Sequence, residues 1–351
     1  MKITSKLIVL LFSISSFAFA EKPKFAYEKT KTIYKSYNTS ANATTSITNM
    51  NGNINVYLTD QSSVSIQVNI TVSGKNESKV TERLNGIDVF FNATSNKVEA
   101  KTTIEGKTYT GNNNLSYEIN YIVKIPKNGN VNLSNKYGNI YADKINGNTF
   151  ISCKYGSINF GSLDGNKNEI NLGYSQNSTI NSVDNLDLDS QYSELAIQKS
   201  AQISTSGNYN TLDFKNCSDL KLNSNYTKVY SDYIGKVVIS GNYLTVKLGE
   251  IGTSFDIISN YSDIRCTNTI KTNSININGN YSNIKIYCEP NSNFDFTVST
   301  KYASFKPGTN ITFTKKSEKE SSGFYSGRFN SGGKNKVNAT TNYGNIEFIK
   351  K

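Results

Sequence analysis

Histidine and tryptophan are absent from the 351 residues. Arginine occurs three times, at Arg83, Arg265 and Arg328, and there are only four prolines and four cysteines. Without histidine there is no Ser-His-Asp or Cys-His catalysis and no histidine-ligated metal. No Gly-rich phosphate loop, no paired-cysteine zinc spacing and no calcium repeat of the G-G-x-G-x-D type is present either. Carbohydrate lyases and hydrolases on repeat scaffolds need paired acids, or an Arg or Lys base near a metal. The nearest approach to such a set is Asp184, Asp187 and Asp189. Asp187 and Asp189 flank Leu188 with outward parity, so they read as surface acids. The chain therefore reads as a non-enzyme with no cofactor and no metal. A carbohydrate-active enzyme and a purely structural envelope protein stand as the alternatives.

Residues Met1–Ala20 have the form of a secretory signal peptide. Lys2 and Lys6 precede the apolar run Leu7–Ile14, and Ala18-Phe19-Ala20 is a cleavage site before Glu21. The run is too short to span a bilayer, and no later stretch is apolar enough to form a membrane helix. The expectation is an exported protein in the periplasm, at the surface or outside the cell. Its net charge is +11 less two signal lysines, or +9. In an oxidising compartment the four cysteines, Cys153, Cys217, Cys266 and Cys288, could pair. Only Cys266 and Cys288 lie in adjacent repeats, and the plainer reading is that all four are small buried apolar residues.

What the chain has in abundance is Asn, Ser, Thr, Tyr and Ile, arranged as a repeat. A tyrosine returns at Tyr137, Tyr155, Tyr174, Tyr192, Tyr209, Tyr226, Tyr243, Tyr261, Tyr281 and Tyr302, at spacings of 17 to 21 residues. Counted from the tyrosine, positions −6 and −4 are apolar (Leu220 and Leu222, Val237 and Ile239) and −2 is small (Ser224, Gly241). Positions +3 and +5 are apolar again (Val246 and Leu248, Ile284 and Ile286). Two runs of period two predict two half-buried strands per repeat, and the parity change between them predicts a bend just after the tyrosine. A unit this short buries its apolar face only by stacking on its neighbours. The predicted fold is all-β: a single-stranded parallel β-solenoid of about ten or more coils, about 4.8 Å apart. In it, the tyrosines and the asparagines at −1 form ladders. The tyrosine shares parity with the apolar positions before it, so it is expected to point inward or into a structural corner; a sugar-gripping aromatic surface is the alternative.

Residues 21–41 are a polar lead-in and 42–125 an N-terminal β region that serves as a cap. Its NMNGNI puts Asn51 where NKYGNI has Tyr137, so it reads as an early coil. Asn76–Asn85 is the one predicted helix. The solenoid proper is expected over 126–351. Between Tyr302 and Tyr343, 314–336 is polar and rich in Gly, Ser and Lys, and reads as an inserted loop or hairpin before a last coil.

NGNINV at 51–56, VKIPKNGNVNLSNKYGNI at 123–140 and TNYGNIEF at 341–348 together resemble the pattern of a bacterial family of unknown function labelled "putative adhesin". The resemblance covers most of the chain after Ala20. It implies an exported β-solenoid and carries no site residues, because the motifs are turn-and-strand spacings.

One surface row has chemistry of its own. Position +4 lies between two buried positions and faces solvent; in consecutive repeats it is Tyr230, Lys247, Arg265, Lys285 and Lys306. Stacked at the coil spacing, these form a basic stripe suited to an acidic glycan or lipopolysaccharide, with Asp263 partly neutralising Arg265; otherwise it is a solvated face that aids solubility. No nucleic-acid partner is expected.

Overall fold

The computed structural model describes residues 25–105 and 115–351. The predicted signal peptide lies outside them. Over these residues the chain is all-β with one helix, and its strands join in one long, open, solenoid-like sheet. From Asn130 onward, each coil runs a strand up to the tyrosine and a second strand away from it. In the middle coils the second strand continues into the first of the next coil, as in Thr211–Asn225 and Lys228–Asn242.

Neighbouring coils pair in parallel and in register. Leu222 lies opposite Ile239, which lies opposite Ile257, which lies opposite Ile277. On the other strand, Leu212, Val229, Val246, Ile264 and Ile284 follow one another. Ile257 and Ile277, opposite each other in adjacent coils, are each 2% exposed. Each such side chain is worth about 1.5–3 kcal/mol of burial, and no coil can obtain it alone. The four cysteines are free and buried within these rows. Cys266 faces Ile286 and Cys288 faces Asn268, two residues out of step for a disulfide partner.

The head contains seven strands: β1 (Tyr27–Asn38), β2 (Thr44–Met50), β3 (Ile54–Thr59), β4 (Ser63–Gly74), β5 (Ile87–Ala93), β6 (Lys97–Ile104) and β7 (Leu115–Pro126). The lead-in thus contributes a full strand, β1. β2 and β3 form the early coil predicted around Asn51: they pair in parallel with the two strands of the Tyr137 coil on one side and with β6 and β7 on the other. Beyond these the pairing turns antiparallel, β4 on β7, β1 on β4 and β5 on β6. The helix α1 (Glu77–Asn85) begins where Asn76 caps it, its side chain accepting from the Lys79 amide at 3.0 Å. It buries Val80 and Leu84, packing chiefly on β4 and β1.

The tail departs from the predicted order. Residues 311–329 form an antiparallel hairpin, Ile311–Lys319 with Ser322–Phe329, laid on the strand Phe294–Lys301. The closing strands Asn335–Asn342 and Asn345–Lys350 do not stack beyond it. They insert between the Tyr281 coil and the Tyr302 coil, pairing in parallel with both. Coil order in space is therefore Tyr281, Tyr343, Tyr302. Each of those three coils carries the same apolar spacing, so linear order alone does not distinguish a last coil from an inserted one.

Candidate functional site

The tyrosine ladder is present and contains eleven rungs. Successive rings, from Tyr137 to Tyr281 and on through Tyr343 to Tyr302, lie 4.6–5.1 Å apart with interplanar angles of 2–17°. Of the two placements expected, inward or into the corner, the rings take the corner: each is 44–54% exposed. The reason is the backbone. Every one of the eleven tyrosines has φ between 49° and 60°, in the left-handed region. Reversing φ at the tyrosine itself absorbs the parity change between the two strands, and it swings the side chain from the inner face out to the corner. Asn51 holds the same place in the early coil with φ 56°.

A left-handed L-residue costs roughly 1–2 kcal/mol, and glycine would avoid that cost. Here the cost recurs eleven times on one edge. Ten of the eleven amides still find a partner in a neighbouring coil, as in Tyr209 N–H to the Asn225 carbonyl at 3.1 Å and Tyr226 N–H to the Asn242 carbonyl at 3.0 Å, and the Tyr302 amide donates to the Ser321 carbonyl of the tail at 2.7 Å. The rings' faces are occupied by one another. Solvent therefore meets ring edges and a row of phenol hydroxyls, and at the two ends lysine ammonium groups approach the outer rings, Lys136 Nζ at 4.8 Å from the Tyr137 centroid and Lys301 Nζ at 5.9 Å from that of Tyr302.

Two polar ladders hold the corner. At −1, Asn225 donates to the Asn208 side-chain oxygen at 3.1 Å, Asn242 to Asn225 at 3.0 Å and Asn260 to Asn242 at 2.6 Å. At +1 lies a second ladder that sequence reasoning missed, buried beneath the bend. The Ser193 amide donates to Asn210, the Asn210 amide to Thr227, the Leu244 amide to Ser262 and the Ser262 amide to Ser282, at 2.9–3.2 Å. Its signal is in the sequence, since +1 is short and polar in most repeats, but such residues read equally well as exposed turn.

The basic row is brought together only in part. Tyr230, Lys247, Arg265 and Lys285 stand in register on consecutive coils. Lys306 is not next to Lys285. The inserted closing strand places Glu347 between them, opposite both, with its carboxylate 3.7 Å from Lys285 Nζ. Arg265 is held by Asp263 at 2.8 Å, and Lys247 Nζ lies 5.7 Å from the Tyr230 ring centroid. The groove over this row, about 670 Å³, thus carries Asp263 and Glu347 among its cations. Asp187 and Asp189 are exposed, as parity predicted, and among the described residues no cluster of three His, Cys, Asp or Glu side chains is placed to hold a metal ion. No helix among them is long and apolar enough to cross a membrane.

No family model matches the chain, and no curated protein matches it. Solved structures do. It is similar to a "putative cell adhesion protein" of Clostridium sporogenes, at 11% identity and a TM-score of 0.21 over 92% of this chain and 100% of that one. It is similar also to a "putative adhesin" of Bacteroides fragilis, at 11% identity and 0.28 over 91% and 97%, and to a "putative lipid binding protein" of Parabacteroides distasonis, at 8% identity and 0.33 over 91% and 96%. The first two carry the adhesion label of the family that the sequence motifs resemble. Similarity this distant assigns neither ligand nor activity.

Proposed function

We propose that this chain is an exported, non-catalytic binding protein on a parallel β-solenoid scaffold, and that its tyrosine row receives an extended glycan lying along the axis. One observation carries the reading: eleven half-exposed tyrosines, each in a backbone conformation that favours glycine, stacked at one edge. Recurrent backbone strain at a surface position points to use rather than to packing. The chemistry fits the ligand class. Identical groups repeated at the coil spacing match a ligand with a translational repeat, and an extended chain of linked pyranosides advances by a step of about that length. Ring edges, phenol hydroxyls and flanking Asn and Ser rows offer both apolar contact and hydrogen bonds to hydroxyl groups. Ten steps at about 4.8 Å make a rail of about 48 Å.

The test is the triple variant Tyr209→Asn, Tyr226→Asn, Tyr243→Asn. Asparagine is chosen because Asn51 already occupies this corner. Retardation in native gels containing neutral or acidic polysaccharides should be at least tenfold weaker than for the parent, with an unchanged circular dichroism spectrum. Equal retardation of parent and variant in every polymer would remove the rail from the function.

A second reading rests on the register of Lys247, Arg265 and Lys285: an acidic glycan or lipopolysaccharide on the basic row. Two carboxylates among those cations weaken it. The same assay separates the two, because binding on the basic row falls steeply as salt rises and binding on the rail does not.

A further inference from the structure

Position −1 carries a side chain at ten of the eleven rungs, Asn, Lys or Gln; at Gly173 it carries none. Opposite it in register stand Lys154 on one coil and Gln191 on the other. The gap opens a groove of about 710 Å³ beside the ladder, walled by Tyr155, Tyr174 and Tyr192. Its far wall includes Phe150, 41% exposed in a row otherwise mostly of Asn, Asp, Glu and Ser. The floor is the row Ser134, Ser152, Asn171 and Asp189.

Some steps of these two outward rows pair their polar side chains and others do not. Further along, outward polar side chains satisfy one another from coil to coil, Asn276 with Asp256 at 2.7 Å, Asn338 with Asn276 at 2.9 Å and Ser240 with Asn223 at 3.3 Å. In the groove, among the described residues, the side chains of Ser152, Asn171, Asp189 and Gln191 make no hydrogen bond to the protein. Donors and acceptors that face an aromatic-walled groove, unspent on the fold, are what a small polar ligand requires.

We propose that this groove is a saccharide subsite for a short run of neutral pyranose units with equatorial hydroxyls; the inference deepens the glycan reading above and rests on it. Equatorial substitution leaves a flat C–H face, which the exposed Phe150 ring can support. The Asp189 carboxylate accepts from two neighbouring hydroxyls, while the Asn171 and Gln191 amides both donate and accept. Lys154, whose aliphatic stem lies across Gly173 with Cγ 3.3 Å from where a Cβ would stand, closes one end. The groove has the size of a ligand site of about 300–1,000 Å³ and so takes more than one unit.

The experiment uses cellotetraose as probe, with saturation-transfer NMR and titration calorimetry on the parent, Phe150→Ser, Gly173→Asn, Asp189→Asn and Val238→Ser. Gly173→Asn restores the side chain found at most other rungs, against only a flexible lysine stem. The parent should bind. The first three variants should weaken binding at least tenfold with unchanged melting temperatures, and Val238→Ser, on the same outward row as Phe150 but five coils away, should leave it intact. Absence of transfer to cellotetraose in the parent at millimolar probe, or binding by Gly173→Asn and Phe150→Ser as tight as by the parent, overturns the subsite. If the triple tyrosine variant still loses polysaccharide, the rail reading survives that result.

Discussion

At the scale of the residue, the tyrosine corner sets two contributions of similar size against each other. Each left-handed tyrosine costs roughly 1–2 kcal/mol, and each stacked pair returns about 0.5–1.5 kcal/mol beyond burial. The ladder is therefore close to neutral for stability, unlike the core rows beneath it. Tyr226 distinguishes the terms. Tyr226→Ala loses both stacking contacts and keeps the strain; Tyr226→Gly loses the contacts and relieves it. The glycine variant should be the more stable of the two by about 1 kcal/mol, measured by reversible denaturant unfolding. An alanine variant of equal or greater stability would contradict the left-handed corner. The buried titrating groups give a second prediction. Burial pushes the Cys153 thiol up to about 11, Cys288 to about 12, and Cys266 higher still, from an ordinary 9.0. It raises the Tyr121 phenol from 10.0 to about 12, with a hydrogen bond to Thr102 opposing the shift. Above pH 9 the unfolded chain releases these protons while the folded chain keeps them, so stability is intact below pH 9 and falls as pH rises towards 12. Each group weakens folding by up to about 1.4 kcal/mol per pH unit above its ordinary value. Melting temperature followed from pH 7 to 11 should be flat to about 9 and then decline. The native thiols should resist a thiol reagent until the chain unfolds.

At the scale of the element, the informative piece is the closing strand. The Tyr302 coil touches the body of the sheet through Asn335–Asn342 and Asn345–Lys350, which pair with it on one side and with the Tyr281 coil on the other. A chain ending before Asn335 leaves the strand Phe294–Lys301 with only its antiparallel hairpin. Hydrogen exchange on that truncated chain should lose protection over residues 294–329 and keep it over 130–280. Loss spread evenly along the coils would show instead that the rod unfolds as one unit. The insertion also accounts for the basic row. The Tyr281 and Tyr302 coils, consecutive in the sequence, are separated in space by the coil carrying Glu347.

At the scale of the whole molecule, the ends decide how the sheet stops. A parallel stack could in principle accept another copy at each end. At the head the strand β1, and at the tail the hairpin, instead add antiparallel, lysine-bearing edges, with Lys29, Lys31 and Lys35 in β1 and Lys315, Lys316 and Lys319 in the hairpin. Charged edges disfavour strand addition, so the row of tyrosines has a defined length. The groove at Gly173 and the row are neighbours on that edge, and one ligand lying along the axis would meet both.

Much of this was legible in the primary structure. Alternation of two with a recurring tyrosine defined the strands, their buried faces, the corner and the early coil at Asn51, because those patterns are local and repeat eleven times. The helix at 77–85 was legible from Asn76 and the composition that follows it. What the tertiary structure alone decided depends on which coil lies next to which. The closing strand entered between two coils whose side chains accept it as well as any neighbour would, and so Glu347 interrupted the cations. Between the interior and the corner, the tyrosines took the corner because parity counts residues and is blind to the sign of φ. The gap at Gly173 became a groove only when Phe150, more than a whole coil earlier, came to stand beside it.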